Sequence, residues 1–163
     1  GKGADAITAA ASLDGGPVDL PGPTGEANSL LLAPRGRVLC LGPDGETLLA
    51  QTVQALAAGN AVVAISPGAK VALQPLAAKG FPLAVHDGSF DLAVLSELDI
   101  DVVAFAGGHE AMRTVRRALA DRKGPIVRLV TDAIDPAAYV HERAICVDTT
   151  AAGGNASLLA AAE

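Results

Sequence analysis

The chain has 163 residues, half of them hydrophobic, with 12 basic against 18 acidic side chains and a formal charge of −6. That length supports about one domain with a real core, and the acidic balance excludes the basic surface that nucleic-acid phosphates require. The mean hydropathy is +0.38, yet no apolar run approaches the roughly 18 residues of a membrane span, so membrane insertion is not expected and the hydrophobicity belongs to a folded interior. Three Phe, one Tyr and no Trp leave the core to Ala, Val, Leu and Ile, which suits a parallel sheet under Ala-rich helices.

Residues 1–27 read as a linker from a preceding domain. They hold a short helix around 5–12, then Gly15-Gly16-Pro17 and Pro21-Gly22-Pro23-Thr24-Gly25, which neither a helix nor a central strand can continue. The opening Gly1-Lys2-Gly3 has no methionine and no signal-peptide pattern, as expected of a piece of a longer polypeptide. A strand is expected at 28–33, turned by Pro34-Arg35-Gly36 into the unit that organises the chain, residues 37–66. There Val38-Leu39-Cys40-Leu41 make a buried strand. A helix follows with Leu49, Val53 and Leu56 on its apolar face and Leu48 and Thr52 beside them. Gly59-Asn60 caps that helix, and 61–65 form a second buried strand.

Beyond Ser66, Pro67-Gly68 opens a helical stretch to Lys79 that Pro75 breaks or shortens. Strands are expected at 81–86, 101–106 and 126–131, and a last one at 143–147. Helices are expected at 90–98, 109–122 and 135–142. In the helix at 109–122, Met112, Val115 and Leu119 recur at helical spacing, and the other face carries Arg113, Arg116, Arg117 and Asp121. Strands alternating with helices in this way predict an α/β fold: a Rossmann-like, doubly wound, mainly parallel sheet of about five to six strands with flanking helices. The domain so defined runs over 28–148, with 149–163 as a C-terminal motif tail.

Ligands of such sheets sit at the carboxyl ends of the strands. The first turn there, Gly42-Pro43-Asp44-Gly45-Glu46, is neither a GxGxxG nor a phosphate loop, and its two carboxylates stand where a phosphate would have to bind. The next strand ends Ile65-Ser66-Pro67, with neither acid nor base for an adenine ribose. Gly107-Gly108 reads as a plain tight turn rather than an anion site. His86, His109 and His141 lie more than 20 residues apart and lack metal-ligand spacing, so no metal site is expected. Cys40 and Cys146 fall in apolar runs and read as buried free thiols, as in a reducing cytoplasmic compartment. The arginines 113, 116 and 117 form either a solvated face or a contact for a carboxylate-rich partner. The tail Thr149-Thr150-Ala151-Ala152-Gly153-Gly154-Asn155-Ala156-Ser157-Leu158 is either a frayed terminus or a segment of small residues that passes close to another surface.

Two segments together resemble a known family. Arg35-Gly36-Arg37-Val38-Leu39-Cys40-Leu41 followed by Leu56-Ala57-Ala58-Gly59-Asn60-Ala61-Val62-Val63 is similar to the cofactor-binding half of the aldehyde dehydrogenase superfamily. Gly22-Pro23-Thr24-Gly25-Glu26-Ala27-Asn28 and the tail resemble, more narrowly, the C-terminal part of proline utilization A. The likeness runs from about Gly22 to Leu159. It implies a parent that oxidises proline with FAD in one domain and glutamate semialdehyde with NAD in another, joined by a tunnel. Active aldehyde dehydrogenases carry a Trp-Asn-Phe-Pro type segment where Asp44-Gly45-Glu46-Thr47 stands. They also carry a ribose-binding Lys that the Ile65-Ser66-Pro67 region lacks, and neither Cys40 nor Cys146 matches their nucleophile. The resemblance therefore implies a non-catalytic domain that binds no cofactor itself and partners the aldehyde dehydrogenase domain of its own chain, with residues 149–158 as the contact. Two other readings stay open: a degenerate NAD-binding domain and an independent protein-interaction domain.

Overall fold

The computed structural model describes residues 1–13 and 15–149. Of the tail expected to make an interdomain contact, Thr149 is described, its amide donating to the Gly25 carbonyl at 2.7 Å. Thr150, Ala151, Ala152, Gly153, Gly154, Asn155, Ala156, Ser157 and Leu158 lie outside the described residues. The chain divides into two compact units, Gly1–Asp14 with Ala33–His141, and Gly15–Leu32 with Glu142–Glu163.

The first unit is built on five parallel strands: β3 (Arg37–Cys40), β4 (Ala61–Ser66), β5 (Leu83–Asp87), β6 (Val102–Ala104) and β7 (Arg128–Val130), numbered after β1 and β2 of the second unit. Their order is β5-β4-β3-β6-β7. The chain runs outward from β3 to β5, then returns to the other side of β3, which makes the gap between β3 and β6 the switch point of a doubly wound sheet. Registers are regular, with Leu39 beside Val63 on one side and Val103 on the other. The expected α/β parallel sheet is present.

One face of this sheet lies under α2 (Gly45–Ala57) and the short helices α3 (Ala69–Ala72) and α4 (Gln74–Ala77). Pro75 stands in the first turn of α4, so the stretch after Ser66 is broken as its proline requires. The helix α2 is buried through Leu48, Gln51, Thr52 and Ala55, while Leu49, Val53 and Leu56 are only partly covered. The expected apolar face is thus turned by about one residue, because a second helix lies against α2. This is α1 (Lys2–Ala11), which lies in the segment read as a linker and buries Ala6 and Ala10. A short helix was expected around 5–12; its packing on α2 was not, since small alanines form the contact face.

The other face is covered by α5 (His109–Ala120) and a 3₁₀ segment, Leu92–Ser96, where a short helix was expected. Met112 and Val115 of α5 are buried as their spacing predicts. A second 3₁₀ segment spans Pro136–Tyr139 and stops there, short of the expected helix to 142. Arg35 Nε donates to the Ala138 carbonyl at 2.8 Å and Asn60 Nδ2 to that of Tyr139 at 3.0 Å. These acceptors are engaged by other elements, and the chain leaves extended into β8 (Val140–Asp148).

The second unit contains most of a separate three-stranded sheet in the order β1-β2-β8, formed by β1 (Val18–Leu20), β2 (Glu26–Pro34) and β8. β1 and β2 pair antiparallel, Asp19 beside Ser29. Residues 28–33 and 143–147 are therefore strands as expected, but belong to this sheet and not to the parallel one. Val18, Leu20, Ile145 and Val147 are exposed on it. Cys146 is exposed as well, which corrects the expectation of a buried thiol; it sits on an outer strand of a sheet too thin to bury both faces.

Candidate functional site

The place to look for a ligand is the carboxyl end of the parallel strands, and there the chain forms a cleft of about 400 Å³. Leu41, Gly42 and Pro43 come from the end of β3, Ile65, Ser66 and Pro67 from β4, and Phe105 from β6. Phe90 and Leu92 from the crossover and Thr114 and Val115 of α5 close the sides. The lining is apolar apart from three hydroxyls, those of Ser66, Ser89 and Thr114, and carries no titratable side chain.

The turn after β3 places a carboxylate at the N-terminus of α2. A helix N-terminus attracts anions because its first amides are unpaired and its dipole is positive there. In α2 that position is taken by the chain's own carboxylate: Asp44 is the N-cap, accepting from the Thr47 amide at 2.8 Å and from Thr47 Oγ1 at 3.0 Å. Lys2 Nζ of α1 donates to Thr47 Oγ1 at 3.0 Å, which adds a cation to the same network. The Thr47 amide, above all, holds the Asp44 carboxyl below its ordinary range, so at neutral pH it stays a bound anion. Gly42 is required by the close start of the helix, since a Cβ there would lie 2.7 Å from the Leu48 Cα.

At the end of β4, Ser66 is buried and donates its hydroxyl to the Gly42 carbonyl at 3.0 Å. It ties two strand ends together and offers no cation to a ribose or phosphate. Gly107 and Gly108 lead into α5, whose N-cap Gly108 supplies no side-chain bond. His109 stands just inside that helix, its Nε2 3.3 Å from an Arg113 guanidinium nitrogen. His86 is exposed on β5 and His141 lies on β8, so the three histidines sit on three elements, and among the described residues no group of His, Cys, Asp and Glu could hold a metal. Arg113, Arg116 and Arg117 are exposed on α5, with one loose ion pair from Arg113 to Glu110 at 3.8 Å.

Cys40 is fully buried beneath α2, and burial pushes its thiol up to about 12, so it is no nucleophile. Cys146 is also raised, by desolvation and then by Glu26. Two polar residues prove more important to the scaffold than the sequence indicates. Asn60 is buried, accepts from the Gly36 amide at 2.9 Å, and donates to the carbonyls of Ala55 at 2.9 Å and Tyr139 at 3.0 Å. Gln54 is buried and spans the carbonyl of Ala133 at 2.8 Å and the amide of Asp135 at 2.7 Å. The Gly59-Asn60 pair signals a helix end, and Gly59 does take the left-handed conformation (φ +83°). The distant partners of Asn60 leave no local trace.

No family model matches the chain. The bifunctional protein PutA of Salmonella typhimurium is 39% identical over 148 residues, which cover 86% of this chain and 11% of that protein. A crystal structure of a Bradyrhizobium japonicum proline utilization A variant matches with a TM-score of 0.70 and 34% identity, over 80% of this chain and 15% of that one. The chain belongs to the proline utilization A family. It spans roughly a tenth of the length of the curated PutA relatives it matches. An NAD-dependent benzaldehyde dehydrogenase from Corynebacterium glutamicum superposes with a TM-score of 0.64 at 19% identity, over 80% of this chain and 31% of that one. That likeness is one of fold alone.

Proposed function

We propose that the chain is a non-catalytic structural module of a bifunctional enzyme that oxidises proline to glutamate. In this reading it rests on the aldehyde dehydrogenase domain of its own polypeptide as a partner subunit would, covers the substrate-channelling tunnel, and uses residues 149–158 to complete the contact. FAD and NAD work elsewhere in the parent, which is cytoplasmic. The observation that carries the non-catalytic part is Asp44, whose carboxylate fills the helix N-terminus that a dinucleotide phosphate would need. The supporting role is favoured by the three-stranded sheet, whose exposed Val18, Leu20, Ile145 and Val147 are more than so thin a sheet can cover by itself.

Such a module acts by excluding water and retaining the semialdehyde, with no chemistry of its own. Deleting residues 149–163 from the full enzyme impairs semialdehyde oxidation and spares proline oxidation; coupled activity that survives the deletion would sink the lid. A degenerate nucleotide site is the second reading, favoured by the cleft at the switch point and the uncapped start of α5. Titration calorimetry of residues 1–163 by themselves with NAD separates the two, since a lid gives no heat and a degenerate site does.

A further inference from the structure

A parallel sheet in a doubly wound fold is covered by helices on both faces, because its strands are apolar on both sides. Here one face is only half covered. Along the row set by the strand register, Val103 and Leu39 are buried beside α5 and the first 3₁₀ segment, whereas Val63 is 37% exposed and its neighbour Ala84 is open. On the next row of the same face Leu41 is buried and His86 is open. On the opposite face every residue of β3 and β4 is buried, with Val62 2% exposed.

The bare strip is a groove of about 420 Å³. Val63 and Ile65 make its floor, Phe90, Leu98 and Ile100 one wall, and the Arg37–Asp99 ion pair closes one end. The cause is the connection from β5 to β6, which supplies a 3₁₀ segment packed against α5 where a full helix would have reached over β4 and β5. Strands lie about 4.8 Å apart and a helix is about 10 Å across, so the strip over two strands is one helix wide.

We infer that this groove is the seat of an amphipathic helix from another part of the same polypeptide, laid across β4 and β5 with aliphatic side chains against Val63 and Ile65. The polypeptide has the chain to supply it, since nearly nine-tenths of a PutA relative lies outside the matched segment. The floor and wall of the groove are apolar; of the polar groups that line it, Arg37 is already paired with Asp99, and His86 stands exposed on β5. The inference rests on membership in the family and not on the lid.

The test places a single thiol on the face in a full-length enzyme carrying this chain. Val63→Cys, and Ala84→Cys as a second variant, are compared for alkylation rate with Val62→Cys on the covered face and Val71→Cys, a position 78% exposed. Peptide mapping reads each site. The groove's occupant protects residues 63 and 84 at least about tenfold relative to residue 71, close to the rate at 62. Alkylation at the rate of residue 71 overturns the inference. So does protection that vanishes on dilution, which assigns the face to a second copy, or protection lost when residues 149–163 are deleted, which assigns it to the tail. The lid is judged separately, by coupled activity after that same deletion.

Discussion

Val62 and Val63 are consecutive, share a strand and a side-chain type, and differ almost completely in surroundings. Val62 points into the core under α2 and is 2% exposed; Val63 points to the other face and is 37% exposed. The difference teaches that apolar composition marks a strand as having two faces to bury but does not say that its own domain buries both. In this chain one face is closed by the helices packed on it, and the other is left partly exposed over β4 and β5.

The matched pair gives the largest expected contrast. Val62→Asp places a carboxylate in a core with no partner for it, and should lower unfolding stability by more than about 4 kcal/mol in denaturant titration. Val63→Asp in the chain alone should cost about 1 kcal/mol or less. Equal losses at the two positions would dissolve the distinction between the faces.

A smaller effect is expected from the residues that hold α2 on the covered face. Asn60→Ala leaves the part-buried Gly36 amide without its acceptor and removes one of two donors from each of the Ala55 and Tyr139 carbonyls, which keep the backbone amides of residue 60 and Arg35. Its cost should be about 1 to 3 kcal/mol, and Asn60→Asp should not restore the donor half of the network. Asp44→Ala removes the N-cap of α2 and should cost about 1 kcal/mol at neutral pH. The sign of its pH dependence follows from the depressed carboxyl. The stabilisation is present above the unfolded value of about 4 and is lost as pH falls through the lower folded value, so the two proteins converge in acid. A gap that widens toward low pH would show that Asp44 is not the bound anion described.

The smallest perturbation is chemical labelling of the native thiols, which compares a covered with an uncovered strand without any substitution. Cys146 should react with iodoacetamide in the folded chain, and Cys40 only after unfolding, its thiol pushed up to about 12. Labelling of Cys40 under native conditions would mean that the face beneath α2 opens locally.

The site was legible in the sequence where its physics is local. Asp44 and Glu46 stand within three residues of each other in the turn ahead of α2, so the sequence already showed carboxylates where a phosphate would bind, while the capping bond from Thr47 to Asp44 came from the structure. The cleft walls were not legible, because Phe90, Phe105 and Val115 meet only after the chain has crossed the sheet. Nor was the work of Gln54 and Asn60, whose partners stand 79 to 81 residues away.

By itself the sequence determined the alternation of strand and helix, the parallel sheet that follows from it, and the carboxylates in the turn ahead of α2, since periodicity and turn chemistry act over a few residues. Only the tertiary structure decided that the helix near the start of the chain packs against α2. It alone placed strands 18–20, 26–34 and 140–148 in a sheet of their own, and left β4 and β5 bare on one face. Those outcomes depend on which distant segments meet, and an apolar strand or an alanine-rich turn of helix pairs equally well, on local grounds, with many partners.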